Sequence, residues 1–197
     1  MEYKSKEELY FSFYLEELKE AGYVKSWGYE VSKFQLTEPY SRSYLKQLKT
    51  KVKEEEEFLL HGSSITADFT INWRTKADGI FVLDDGEAVL KVKDIPFRFQ
   101  NELSFKSQIE VKAINESKTS SSYSFPYKQK FCLYLHNVFI QKIKPFDPEK
   151  KCLFSDTFVP DKVLQCEKYK RDSKHGKKGE SKIKYKIKTL EEFVDGR

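Results

Sequence analysis

The chain has 197 residues, which is enough for one domain with a substantial core, and 39% of them are apolar. Its net charge of +5 and its basic C-terminal region favour a polyanionic partner such as nucleic acid. Three scattered cysteines without a CxxC pair indicate neither a disulfide framework nor a zinc site, and no apolar run indicates a signal peptide or membrane anchor. We therefore expect a cytoplasmic location and no membrane partner.

The first predicted element is a helix over residues 5–21. Ser5 and Glu8 have the spacing of a capping box, and Gly22 stands where a helix would end. Apolar residues recur at helical spacing, which predicts a buried face made of Phe11, Tyr14, Leu15 and Leu18.

The next segment, residues 23–36, is predicted to be extended, with a kink near Gly28. Residues 41–60 carry a lysine-rich and then a glutamate-rich run, which predicts either a helix or a long excursion. In the helical interpretation, the acidic run Glu54–Glu57 lies on a solvated helix face. An apolar strand is predicted over residues 65–73.

The remaining predicted segments complete an α/β layout. The first is a hairpin over 76–92 that turns at 84–86, and a strand over 108–114 follows it. A serine-rich loop over 115–124 then leads to a helix over 125–135, with Pro126 in its first turn, and to a strand over 138–143. The C-terminal part is predicted to have an irregular stretch over 152–164 and an edge strand at Ile183, Tyr185 and Ile187. The order of helix, three strands, helix and strand predicts a mixed central sheet flanked by helices. We expect a core over 1–165, with insertions at 41–62 and 74–106, and a basic extension over 166–197 that packs on it.

Two of the predicted strands carry residues that suit metal-dependent hydrolysis. Glu110 and Lys112 are two residues apart, so they share one face of a strand. Asp68 interrupts another strand, where aspartate is disfavoured. Two carboxylates that converge repel each other unless a cation lies between them, and Mg²⁺ prefers such oxygen ligands. The alternative is an exposed strand face on which Glu110 and Lys112 form an ordinary ion pair.

These residues resemble the PD-(D/E)xK nuclease superfamily and, within it, the phage endonuclease I-type Holliday-junction resolvases. The matching positions are Glu8 in the first helix, the run Thr66-Ala67-Asp68-Phe69, and Glu110-Val111-Lys112, in the family's order of elements over about residues 5–145. Ala67 departs from the family's usual proline. About forty residues separate Asp68 from Glu110, so the insertion between them must be an excursion that leaves the two strands adjacent.

The resemblance implies a restriction-endonuclease-like core and a Mg²⁺-dependent DNA endonuclease, with Mn²⁺ as a substitute metal. It implies a homodimer that cuts branched DNA to 5′-phosphate and 3′-hydroxyl ends, in the cytoplasm of a bacterial host if the protein is phage-encoded. Asp68, Glu110, the Val111 carbonyl and Glu8 would bind the metal, and Lys112 would act on the attacking water. Glu7 is an alternative to Glu8. A competing site would use Asp78, Glu87 and Lys91 instead.

Nucleic-acid contacts are predicted on the helix after Lys112 and on the basic C-terminal segment. The candidates are Lys128, Gln129, Lys130, Lys174, Lys177 and Lys178. The alternative is that these residues belong to a solvated helix face and a solvated tail. Two other functions stay open, a non-catalytic nucleic-acid-binding protein on the same fold and a repair or nicking nuclease without junction specificity.

Overall fold

A mixed four-stranded sheet with helices packed against it forms the centre of this α/β protein. The computed structural model describes residues 2–83, 95–98, 105–113, 120–174 and 182–197. The helices are α1 (Lys6–Glu20), α2 (Ser120–His136), α3 (Leu153–Asp156), α4 (Asp161–Gln165), α5 (Glu167–Asp172) and α6 (Leu190–Asp195). The strands are β1 (Val24–Thr37), β2 (Tyr40–Gln47), β3 (Val52–Leu60), β4 (Ser63–Trp73), β5 (Val82–Leu83), β6 (Phe97–Arg98), β7 (Lys106–Val111) and β8 (Ile140–Ile143).

The central sheet has the strand order β1-β4-β7-β8. Strand β4 runs antiparallel to both β1 and β7, whereas β7 and β8 are parallel. The predicted mixed sheet is therefore confirmed. The long insertion between β4 and β7 leaves these two strands adjacent, because Phe69 pairs with Ile109 and Thr70 pairs with Gln108.

Helix α1 forms as its sequence predicts and supplies much of the main core. The Ser5 hydroxyl accepts the Glu8 backbone N–H at 3.1 Å. Only this half of the capping box forms, because the Glu8 carboxylate accepts the backbone N–H of Lys4 instead. The predicted apolar face is fully buried, and Gly22 ends the helix with φ +79°. The buried face consists of Phe11, Tyr14, Leu15 and Leu18.

A second, smaller core lies under α2. Phe125 and Cys132 of the helix pack with Ile65 and Ala67 of β4 and with Ile140 of β8. The residues of β4 that follow Asp68, beginning with Phe69, belong to the main core instead. Asp68 therefore stands where β4 passes from one core to the other.

The helical interpretation of residues 41–60 is wrong. Strands β2 and β3 form an antiparallel hairpin, and the acidic run lies on β3. The acids face cations across the hairpin: Arg42 contacts Glu57 at 2.8 Å, and Lys46 contacts Glu55 at 3.0 Å. Opposite charges on paired strands favour the hairpin over an isolated helix face.

The region around α2 also differs from the prediction. Residues 120–124 are helical rather than part of a loop, so Pro126 lies inside the helix and not in its first turn. Packing of Phe125 and Cys132 on the sheet holds this helix in place and outweighs the low helix propensity of the preceding serines. Residues 114–119 lie outside the described part of the chain.

The predicted hairpin over 76–92 is also wrong where the structure describes it. Residues Thr75–Ala77 form a 3₁₀ turn, and β5 pairs in parallel with β6. The predicted turn at 84–86 lies outside the described residues. The predicted kink near Gly28 falls slightly later, where β1 shifts register between Tyr29 and Ser32 and Glu30 has φ +51°.

The C-terminal part contains short helices where an irregular stretch and an edge strand were predicted. Helices α3 and α4 lie within 152–165. Ile183 and Tyr185 pack against the main core, but their segment bonds to loops instead of a sheet, since Lys184 N–H donates to the Pro148 carbonyl. Ile187, the third residue of the predicted edge strand, is exposed. The alternation therefore marks two partly buried residues and no strand pairing. No helix among the described residues has the length and apolar character needed to cross a membrane.

Candidate active site

The pairing of β4 with β7 brings Asp68 and Glu110 together. The register that pairs Phe69 with Ile109 places Asp68 opposite Glu110 at the next position. The backbone N–H of Val111 donates to Asp68 Oδ2 at 2.7 Å. The Asp68 carboxylate thus accepts a backbone N–H that a carbonyl of the neighbouring strand would otherwise accept. This hydrogen bond fixes the carboxylate where the pairing of β4 with β7 ends.

Lys112 lies beside Glu110. Its Nζ atom is 2.7 Å from Glu110 Oε1, and each side chain is 16% exposed. The same Nζ atom lies 5.2 Å from the centre of the Phe125 ring. The alternative interpretation of the sequence was an ordinary Glu110–Lys112 ion pair on an exposed strand face. The ion pair is present, but it is largely buried and lies near the carboxylate of Asp68 on the neighbouring strand, so it is not on an exposed face.

Glu8 reaches the same region from α1. Its side chain is buried, and Glu8 Oε2 accepts the Tyr29 hydroxyl at 2.6 Å and the Lys4 backbone N–H at 3.0 Å. The negative charge of Glu8 acts on Asp68, whereas the charge of Glu7 acts on Tyr10. Glu8 rather than Glu7 is therefore the acid near Asp68, since its partner Tyr29 pairs with Phe69, the residue after Asp68.

The surroundings of Asp68 disfavour its charged form. Burial raises the pKa of Asp68 to about 7, and the nearby charges of Glu110 and then Glu8 add to the increase. The N–H of Val111 and the ammonium of Lys112 lower the pKa of Asp68, but they do not compensate. A cation next to Asp68 would relieve this repulsion.

The described residues bring two carboxylates near each other at this site rather than three. Among the described residues, no group of three or more His, Cys, Asp or Glu side chains is close enough to hold a metal ion. Glu8, Asp68 and Glu110 therefore do not converge on one metal position in this arrangement. Mg²⁺ commonly takes only one or two carboxylates and completes its shell with waters and phosphate oxygens. Asp68 and Glu110 offer that number of carboxylates, and metal binding by them, by Glu8 and by the Val111 carbonyl stays a prediction.

A cavity of about 190 Å³ adjoins the Glu110–Lys112 pair. Lys128 lies on its wall, and its Nζ atom donates to the Ser64 carbonyl at 3.2 Å. The cavity is open enough for a phosphate group and brings two lysines next to a carboxylate. Its lining consists of Ser64, Ile65, Thr66, Glu110, Lys112, Ser124, Phe125 and Lys128.

The other predicted nucleic-acid contacts are not gathered at this cavity. Gln129 donates its amide to the Ile140 carbonyl at 2.6 Å, so it ties α2 to β8. Lys130 and Lys174 are exposed. Lys177 and Lys178 lie outside the described residues, as do two members of the competing site, Glu87 and Lys91.

The sequence interpretation missed two sets of polar residues. One is Tyr29, whose hydroxyl holds Glu8. The other is a buried network in which Thr70 Oγ1 donates to Gln108 Oε1 at 2.6 Å and Gln108 Nε2 donates to Ser32 Oγ at 3.3 Å. Thr70 is two residues from Asp68, and Gln108 is two residues from Glu110. Residues at this spacing share a strand face, so the sequence could have indicated that these polar residues lie beside the site.

Comparisons with family models, curated proteins and solved structures found no match to this chain. The resemblance to PD-(D/E)xK nucleases therefore stays a prediction, which rests on the sequence motif.

Proposed function

We propose that this protein is a Mg²⁺-dependent DNA endonuclease built on a restriction-endonuclease-like core. One observation carries the proposal: Asp68 and Glu110, far apart in sequence, lie opposite each other on adjacent strands, with Lys112 paired to Glu110. Two carboxylates on neighbouring strands, with a lysine directly after the second strand, can supply the metal ligands and the cation that metal-dependent hydrolysis of a phosphodiester uses.

The side chains have distinct proposed roles. Asp68 and Glu110 would hold Mg²⁺, and the bound metal would supply a water of lowered pKa and neutralise developing charge on the phosphate. Lys112 would orient the attacking water or stabilise the phosphate oxygens through its ammonium group. Glu8, held by Tyr29, would position a water next to Asp68.

Lys128 supports the proposal from the other side of the cavity. It lines the same 190 Å³ space as Glu110 and Lys112, and its hydrogen-bond partner among the described residues is one neutral backbone carbonyl. A lysine held only by a carbonyl can turn to a phosphate at small cost. We propose that Lys128 contacts the phosphate next to the scissile bond.

The choice of substrate and assembly comes from the resemblance alone. It favours branched DNA as the substrate, a homodimer as the active form, and cleavage to 5′-phosphate and 3′-hydroxyl ends. Two active sites in a symmetric dimer would allow paired cuts across a four-way junction.

Cleavage of a labelled four-way junction and of a matched linear duplex, each in Mg²⁺ and in EDTA, tests the proposal. We expect Mg²⁺-dependent cuts, and we expect Glu110→Gln to reduce the rate by about 100-fold or more, as for loss of a group that stabilises the transition state. Glu55→Gln is the matched control, because Glu55 also pairs with a lysine but lies on the β2–β3 hairpin away from the site.

The outcomes separate the candidate functions. Equal cleavage of both substrates would keep the nuclease and discard junction specificity. Binding without cleavage by the wild-type protein would overturn the nuclease proposal in favour of a non-catalytic nucleic-acid-binding protein. A Glu110→Gln variant as active as Glu55→Gln would overturn the assignment of the site.

A further inference from the structure

The outer face of α2 carries four aromatic side chains that the fold leaves exposed. Tyr123, Tyr127 and Tyr134 are 62%, 67% and 86% exposed, and Phe131 is 51% exposed. The opposite face of the helix holds the buried Phe125 and Cys132. We call the exposed set, together with Lys130, the aromatic face.

The size of the aromatic face points to a binding role. At roughly 200 Å² for a whole aromatic side chain, its exposed rings present about 500 Å² of largely apolar surface. Patches of this size on a monomer are commonly functional, whereas single exposed apolar residues need no explanation. The helix packs on the sheet through its other side, so stability of the described fold does not explain these rings.

The charge of α2 indicates the class of partner. The chain contains 31 acidic residues, but none of them lies in Ser120–His136. Lys130 is three residues after Tyr127 and four before Tyr134, so it stands among the rings on the same face. Aromatic rings around a cation, on a helix that carries no acid of its own, suit a polyanion that also offers flat surfaces, namely nucleic acid.

The spacing of the rings favours unpaired bases over a duplex. Tyr123, Tyr127 and Phe131 follow one another at four-residue intervals, which separates them by about 6 Å along the helix axis. Bases stacked in a duplex repeat at about 3.4 Å and have no free face to offer. Bases that are separated from one another can each stack on a ring.

The position of α2 connects the aromatic face to the candidate active site. Ser124, Phe125 and Lys128 of the same helix line the cavity beside Glu110 and Lys112. A strand with one phosphate at that cavity would continue over the edge of α2 onto the rings.

We propose that the aromatic face of α2 binds unpaired nucleotides by stacking, with Lys130 contacting the phosphate backbone. This inference rests on the proposed nuclease function for the identity of the polyanion, and it deepens that function by assigning a single-stranded or unpaired segment to the substrate. A second copy of this chain fits the face less well, because a symmetric interface centred here would bring Lys130 close to its own counterpart.

Fluorescence anisotropy in EDTA measures binding without cleavage, using a labelled oligothymidine and a duplex of equal length. The test variant is Tyr127→Leu with Tyr134→Leu, which removes two rings but keeps apolar side chains on a helix. Tyr127→Phe with Tyr134→Phe keeps the rings, and Tyr44→Leu removes an exposed tyrosine from the β2–β3 hairpin as a matched control. Circular dichroism confirms that each variant is folded.

We expect the leucine variant to bind oligothymidine about tenfold or more weakly, and duplex less than about twofold more weakly. The phenylalanine variant and Tyr44→Leu should bind both probes like the wild type. Unchanged binding of oligothymidine by the leucine variant, or an equal loss on both probes, would overturn the inference. So would a wild-type dimer that the leucine variant converts to a monomer, because the face would then belong to a second copy.

Failure of this inference and failure of the proposed function are distinguishable. Normal cleavage and unaffected oligothymidine binding by the leucine variant would overturn the proposed stacking surface and leave the nuclease proposal standing. Ring-dependent binding of oligothymidine by a wild-type protein that cleaves nothing would keep the surface and remove the nuclease.

Discussion

Replacement of Asp68 by asparagine is expected to stabilise the metal-free protein at neutral and alkaline pH. Asparagine keeps an oxygen that can accept the Val111 N–H, which Asp68 Oδ2 now accepts at 2.7 Å. It removes a partly buried negative charge that Glu110 and Glu8 repel. The substitution therefore removes an unfavourable interaction while it preserves the hydrogen bond.

The sign and pH range follow from the raised pKa of Asp68. Its pKa rises from 3.8 to about 7, so the folded protein holds a proton that the unfolded chain releases. The stability of the wild-type protein relative to Asp68→Asn is therefore greatest below about pH 4, falls as the pH rises to about 7, and is constant above that.

Solvent limits how much Asp68→Asn can change the free energy of unfolding. A change of about three pKa units corresponds to at most about 4 kcal/mol at 1.36 kcal/mol per unit. Asp68 is only partly buried, and water and local relaxation reduce the repulsion. We therefore expect Asp68→Asn to raise the free energy of unfolding by about 1–2 kcal/mol at about pH 8, relative to its effect at about pH 4.

Urea unfolding in EDTA at the two pH values measures this difference, with Asp78→Asn as a control at an exposed aspartate. Excess Mg²⁺ should stabilise the wild-type protein and have little effect on Asp68→Asn, because binding to the folded state alone raises stability. A variant that is less stable than the wild type at about pH 8, or an effect that does not change with pH, would refute the electrostatic account of this site.

Three further predictions concern neighbouring residues. Lys112→Met should lower the cleavage rate by about 100-fold while leaving DNA affinity within about threefold, as separate rate and anisotropy measurements would show; an unchanged rate would exclude Lys112 from the reaction. Tyr29→Phe should lower the free energy of unfolding, measured in urea, by about 1–2 kcal/mol, since it removes the hydroxyl that donates a hydrogen bond to Glu8 at 2.6 Å. An unchanged free energy of unfolding would mean that solvent replaces this hydrogen bond. Gln129→Leu should lower the free energy of unfolding by about 1 kcal/mol and leave cleavage intact, because the Gln129 amide donates a hydrogen bond to the Ile140 carbonyl. A loss of activity without a loss of stability would contradict this structural role.

Elements with strong local signals could be predicted from the sequence. Helix α1 has a capping serine, a continuous apolar stripe and a terminal glycine, and all three depend on contacts within a few residues. Strands β4 and β7 have β-branched residues in short runs. The prediction for β4 is close to its observed bounds, whereas β7 begins two residues earlier than predicted and ends at Val111, before Lys112. The order of these elements was enough to predict a mixed sheet.

Segments whose charges or apolar residues suit more than one structure could not be predicted in this way. Glu54–Glu57 fit a helix surface as well as a strand, and only the cations across on β2 decide for the hairpin. Ile183 and Tyr185 alternate like strand residues, but the Lys184 N–H between them donates to the Pro148 carbonyl, and their side chains are partly buried against the core.

The sequence by itself singled out Asp68, Glu110 and Lys112 as candidate site residues, because each is a charged residue within a predicted apolar strand. Only the tertiary structure decided that they meet, since the insertion between β4 and β7 gives no local sign of where it returns. Tertiary structure alone also placed Glu8 under the Tyr29 hydroxyl, raised the pKa of Asp68 by burial, and turned four aromatic rings of α2 outward. Burial and the approach of distant charges depend on how the whole chain packs, and local sequence does not encode them.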